Sequence, residues 1–167
     1  MTSRTAGLLF AAWADWDRLT DGLDFDTLSL HDEGSSSVAW SLAHVTNHLD
    51  GWINVRFQAH GPDPTIGDDT FSIGGSGAAD WARVRPAVVR VREAARPFLR
   101  QQSEQDLDRT IAYDGSHPLL RSSGLSLRHA VLRLGAHHYL HLGEACTVVS
   151  RKRGRVPDFP GGMEETI

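Results

Sequence analysis

The chain is short of cysteine, of lysine and of uninterrupted apolar stretches, and each shortage removes a class of protein. Its one cysteine, Cys146, leaves no internal disulfide possible. No segment approaches the roughly 20 apolar residues that a membrane-spanning helix needs. The apolar run Leu8-Leu-Phe10 is too short for a secretory signal and leads into Trp13-Ala-Asp-Trp-Asp17. A soluble cytoplasmic protein with no membrane contact is therefore expected. Positive charge is not in excess either. The net charge is −4 with His neutral, which gives no electrostatic attraction to nucleic acid or anionic lipid. Of the 17 basic residues only Lys152 is a lysine, a skew that reads as GC-rich coding rather than chemistry.

What is present suffices for an ordinary core. The 167 residues are 40% hydrophobic and 23% charged, which suits one folded domain over 1–167 and argues against disorder. Apolar residues recur at spacings of three and four in four long stretches. Residues 3–22 carry Leu8, Leu9, Ala12, Trp16 and Leu19, with Asp15, Asp17 and Arg18 as polar positions between them. Residues 37–58 carry Val38, Leu42, Val45, Leu49, Trp52 and Ile53, with Trp40, His44 and His48 on an adjoining stripe. Residues 79–102 carry Trp81, Val84, Val88, Val91, Ala95, Phe98 and Leu99, but Pro86 and Pro97 each remove a helical donor and predict a kink or restart. Residues 126–152 follow Leu127, Ala130, Val131, Leu134, His138, His141, Ala145 and Val148. This helix closes with Arg151-Lys-Arg153 and Gly154. The predicted architecture is an all-α four-helix bundle.

Two connections stand out. Residues 60–78 form a long turn-rich loop between the second and third helices, a length usually reserved for function or mobility. Thr110-Ile-Ala-Tyr113 followed by Asp114-Gly115 predicts a short local hairpin. The extended tail Val156–Gly161 is expected to pack back on the body.

Histidine is where the chemistry concentrates. His137 and His141 are four apart, so they share a helix face and can aim two ring nitrogens at one point. By itself this pair is as easily a satisfied boundary feature, and it lacks the intervening glutamate of the zinc-protease His-Glu-x-x-His motif. A third imidazole from another helix would complete three protein ligands and leave a position open. His44 is the candidate, and His48, one turn later, could replace it. Glu144 lies near the face of His141, where it could orient an imidazole or accept a proton. His138 lies about 100° round from His137 and should face a neighbouring helix or the rim. Trp40, His48, Trp52 and His138 are the candidate substrate-pocket residues, with Tyr139 a further possible wall. Aromatics at helical spacing are more often core. His31, His60, His117 and His129 read as loop or surface residues. Cys146 is about 140° round the helix from His141, a poor position for a ligand.

Three motifs occur in a telling order: Trp40-Ser-Leu-Ala-His44 with Trp52 beyond it, His137-His-Tyr-Leu-His141-Leu-Gly143-Glu144, and Pro157-Asp-Phe-Pro-Gly161. Together they resemble the DinB-like superfamily of four-helix bundles, over nearly the whole chain. The resemblance implies a divalent metal site, zinc first and nickel second, with His44, His137 and His141 as ligands. Many members carry Gln where this chain has Glu144. It also implies homodimers, and in part of the family a reaction that uses a low-molecular-weight thiol such as mycothiol or bacillithiol with an electrophile. Other members have no known reaction. The expected function is thus thiol activation at a three-histidine metal site, in the manner of an S-transferase. Metal-assisted hydrolysis with Glu144 as base, a non-catalytic metal-binding stress-response module, and a bundle whose histidines merely pack are the competing readings.

Overall fold

The computed structural model describes residues 3–29, 34–72, 77–154, 156–158 and 160–161, so the expectation for His31 lies outside the described residues. Four helices carry the bundle: α1 (Arg4–Thr20), α3 (Val38–Leu49), α4 (Trp81–Gln101) and α6 (Leu127–Arg153). Each begins on a side-chain cap. Ser3, Ser37, Asp80 and Ser126 accept from the backbone N–H groups of Ala6, Trp40, Ala82 and His129 respectively, satisfying donors that the first turn leaves free. Gly154, at φ 75°, closes α6 in the left-handed conformation that a helix C-terminus favours.

Packing runs from α1 to α6, from α6 to α3 and from α3 to α4. Leu9, Trp13 and Trp16 meet Val131 and Leu134 in a continuous core with Val45, Leu49, Val91 and Leu99, all nearly inaccessible to solvent. Each such side chain contributes about 1.5–3 kcal/mol on burial. Gly135 faces α1, where a Cβ would just reach contact with Leu8 at 3.4 Å. The side between α1 and α4 is bridged differently. Arg92 of α4 pairs with Asp17 at 2.7 Å, and its guanidinium lies 5.6 Å from the Trp13 ring. Arg96 stands 5.1 Å from Trp13 and 5.2 Å from Phe10. Arginine stems and planes cover aromatic faces where aliphatic contacts close the other sides. Among the described residues no helix is long and apolar enough to cross a membrane.

Several local expectations need correction. The second predicted helix continues past Leu49, but as a π-helix over Asp50–Phe57. There Asn54 donates to Asp50 at 2.9 Å and to the Val91 carbonyl at 3.1 Å, tying the wide turns to α4. The third helix runs uninterrupted through Pro86 and Pro97. The carbonyls left without helical donors belong to Ala82 and Glu93, and both residues are exposed, so water can satisfy them. No local hairpin forms around Asp114-Gly115. Instead β1 (Thr110–Ile111) pairs antiparallel with β2 (Leu125–Ser126), with the short helix α5 (Pro118–Ser123) between them. Gly124, at φ 78°, makes this closure possible, since a Cβ there would stand 2.5 Å from Thr110 and 2.8 Å from the Ile111 oxygen. Another short helix, α2 (Phe25–Ser29), follows α1.

Asp15, read as a polar position between apolar ones, is fully buried. The tail explains it. Gly161 N–H donates to Asp15 at 3.1 Å, Tyr139 donates to it at 3.1 Å, and Arg18 pairs with it at 2.9 Å while donating to the Asp158 carbonyl.

His138 is also fully buried, and its Nδ1–H donates to the Leu134 carbonyl at 2.8 Å. Burial, with the charge of Arg92 nearby, pushes its pKa down to about 3. It therefore stays neutral in the fold at pH 5, whereas in the unfolded chain it binds a proton below about 6.5. Stability is full above pH 6.5 and is lost as pH falls from there toward 3. Metal-free protein should lose about 2 kcal/mol through this residue between pH 7 and pH 5. Urea midpoints at the two pH values check it. His138→Leu should lose correspondingly less on acidification, and an equal loss in variant and wild type would show that another group is responsible.

Candidate metal centre

The histidine cluster forms where α3 packs on α6. Ring nitrogens of His44, His137 and His141, one from each, all lie within 4.8 Å of one another. The ring centroids are 4.7–5.0 Å apart and the planes close to perpendicular, so the rings converge by their edges and do not stack. His137 Nε2 and His141 Nε2 are 3.0 Å apart.

Hydrogen bonds on the far side of two rings set their tautomers. His44 Nδ1 lies 2.8 Å from the Phe71 carbonyl, which can only accept, so Nδ1 carries the proton and the Nε2 lone pair is free. His141 Nδ1 lies 2.7 Å from the Glu144 carboxylate, with the same consequence. Such outer partners fix ring orientation in metal-binding histidines and raise the basicity of the inner nitrogen. Burial, ahead of all other causes, lowers the pKa of His44. Burial and then the neighbouring imidazoles push His137 down to about 3. Both are neutral near pH 7, the form in which imidazole binds a metal. Converging lone pairs, outer nitrogens engaged and no competing thiolate make a donor set that fits a borderline dication such as zinc.

The long loop contributes directly. Its Phe71 carbonyl holds His44, and its Thr70 carbonyl accepts from the Trp40 indole at 3.3 Å. Trp40 in turn stacks on His44, with centroids 4.9 Å apart and planes within 11°. The loop thus tethers the third imidazole to its place. A carbonyl has no signature in a sequence, so no motif pointed to Phe71.

A cavity of about 580 Å³ opens over the cluster. Trp40, His48 and Glu144 line it together with the three clustered histidines. The His48 ring stands 4.9 Å from His44 and 4.7 Å from His137, and its buried Nε2 has no hydrogen-bond partner among the described residues. Burial and the charge of His44 hold its pKa down at about 4. Two other candidate pocket residues do not line this cavity. His138 is sealed inside the bundle. Trp52, beyond the start of the π segment, stacks instead against His129 at 6.1 Å and meets His117 edge-on at 6.3 Å. Tyr139 is engaged with Asp15, away from the cavity. Arg133 and Leu140 do line it, and sequence reasoning gave neither a role. Their spacings of four and three from His137 were the available signal. A larger cavity, about 720 Å³, lies between α1 and α4 and has no histidine in its wall.

A family model described as the DinB superfamily matches residues 8–145. The chain belongs to the DinB superfamily. No individual curated protein matches it. The span matched as DinB includes His44, His48, Arg133, His137, His141 and Glu144, so the whole cluster lies within the family domain. The tail that docks on Asp15 lies beyond that span. Elsewhere in this DinB chain, His60 and His129 are exposed and His117 is half-buried. Cys146 is half-buried, and burial followed by the charge of Asp15 raises its thiol pKa, so it is not held as a nucleophilic thiolate.

Proposed function

We propose that this protein is a divalent-metal-dependent enzyme that activates a low-molecular-weight thiol for transfer to an electrophile. Zinc is the first choice of metal and nickel the second. The observation that carries the reading is the pair of outer hydrogen bonds, His44 to Phe71 and His141 to Glu144, which leave inner lone pairs facing one another below an open cavity. A dication held by His44, His137 and His141 would supply the charge that favours a thiolate over a thiol at neutral pH. The chain's own parts do the rest. Trp40 and the loop hold His44, Glu144 holds His141, and burial keeps His44 and His137 neutral. Cys146 offers no competing thiolate, which agrees with a thiol supplied from outside, such as mycothiol or bacillithiol.

The test is a transfer assay on zinc-loaded protein with each thiol and 1-chloro-2,4-dinitrobenzene. The sulfur–carbon bond forms, the carbon–chlorine bond breaks, chloride leaves, and the thiol proton goes to solvent. Product that requires both protein and thiol is expected. Absence of thiol-dependent product with either thiol over a panel of electrophiles would end this reading. Ester cleavage without any thiol would instead favour hydrolysis, with Glu144 placed to act as base.

A further inference from the structure

The cavity wall holds one cation that the metal reading leaves without a task. Arg133 is exposed, sits one helical turn before His137 and lines the same cavity. Its guanidinium lies 5.4 Å from the centroid of the Trp52 ring, against which His129 also stacks at 6.1 Å. No carboxylate pairs with it among the described residues. Arg56, Arg90, Arg92 and Arg128, by contrast, each hold an aspartate or glutamate at 2.7–3.1 Å. Stacking on an indole fixes the plane of a guanidinium while leaving its fork of donors free.

The placement has a direction. Along α6 the order is Arg133, His137, His141, Glu144, and at about 1.5 Å per residue this spans roughly 16 Å. The cavity is therefore positive at one end and negative at the other, with the imidazoles between. A molecule that brings a reacting atom to the imidazoles passes within reach of Arg133 a few bonds away.

We propose that Arg133, braced on Trp52, is the carboxylate-binding residue of this cavity, and that the small molecule taken there bears a carboxylate a few bonds from its reacting atom. The proposal rests on the reading of the cluster as a thiol-activating site. The carboxylate can belong to the thiol or to the electrophile, and the experiment separates the two.

Two ligand pairs matched except in charge are titrated by NMR. One pair is 3-mercaptopropionate and 3-mercaptopropionamide, and the other is 4-nitrobenzoate and 4-nitrobenzamide. The shift of the Trp52 indole N–H is followed in zinc-loaded and in metal-free protein. In wild type the charged member of at least one pair should bind about tenfold more tightly than its neutral match and shift the Trp52 signal, as a charge-assisted fork predicts. In Arg133→Gln the ratio should fall to about one, and Arg133→Lys should keep only part of it. Discrimination in the mercapto pair assigns the carboxylate to the thiol, and discrimination in the nitrobenzoate pair alone assigns it to the electrophile. Equal binding within both pairs in wild type, or a ratio that survives Arg133→Gln, would overturn the proposal. Failure of the thiol reading is seen separately, as zinc-loaded protein that prefers neither mercapto ligand over its S-methyl analogue. The nitrobenzoate pair in metal-free protein still reports on Arg133 in that case.

Discussion

His137→Ala is expected to bring bound zinc from about one ion per chain to a level that does not survive desalting, because three protein ligands are the minimum of a working zinc site. Two effects act together. The variant keeps two imidazoles of the cluster, His44 and His141, on different helices. It also deletes the ring whose Nε2 stands 3.0 Å from that of His141, so the centre of the cluster is emptied. Elemental analysis of wild type and variant purified side by side gives the answer. His138→Ala is the informative control, being adjacent in sequence yet sealed away from the cavity. It should lose stability and keep its zinc. Equal metal in wild type and His137→Ala, or metal lost only with His138, would remove the three-histidine centre from consideration.

Asp15→Ala should be the most damaging change at a polar residue outside the site. The carboxylate is fully buried and accepts from Arg18, Tyr139 and the Gly161 N–H. Breaking a buried charged hub costs about 3–5 kcal/mol when the partner is stranded. Arg18 is partly exposed and can turn to water, which places the expected loss near the lower end, about 3 kcal/mol. For a chain of this size that lowers the melting temperature by roughly 6–12 °C. The tail should also come loose, so the Gly161 amide should exchange with solvent far faster in the variant. A loss under about 1 kcal/mol with Gly161 still protected would mean that the tail is held by other contacts.

Both sites show the boundary between what local sequence encodes and what packing decides. Helix positions were legible because a helix repeats every 3.6 residues, and burial of one face writes that period into the chain. The four long helices start within two residues of where the periodicity places them, each on a serine or aspartate cap. For the same reason the His137/His141 pair was legible, since four residues on a helix is one face. The prolines do not interrupt α4, because a missing donor ends a helix only when the carbonyl it leaves is also denied water, and Ala82 and Glu93 are exposed.

The sequence by itself therefore determined an all-α chain with long amphipathic helices and one helix face carrying two imidazoles. Family resemblance, not spacing, joined His44 to that pair. Only the tertiary structure decided that the Phe71 carbonyl holds His44, that β1 pairs across α5 with β2, that Asp15 is buried beneath the tail, and that Arg133 rests on Trp52 at the cavity edge. The physical reason is the same in each case. Periodicity is set by backbone geometry over three or four residues, whereas these contacts join segments far apart in the chain, and in three of them a backbone group, which every residue carries alike, makes the decisive bond.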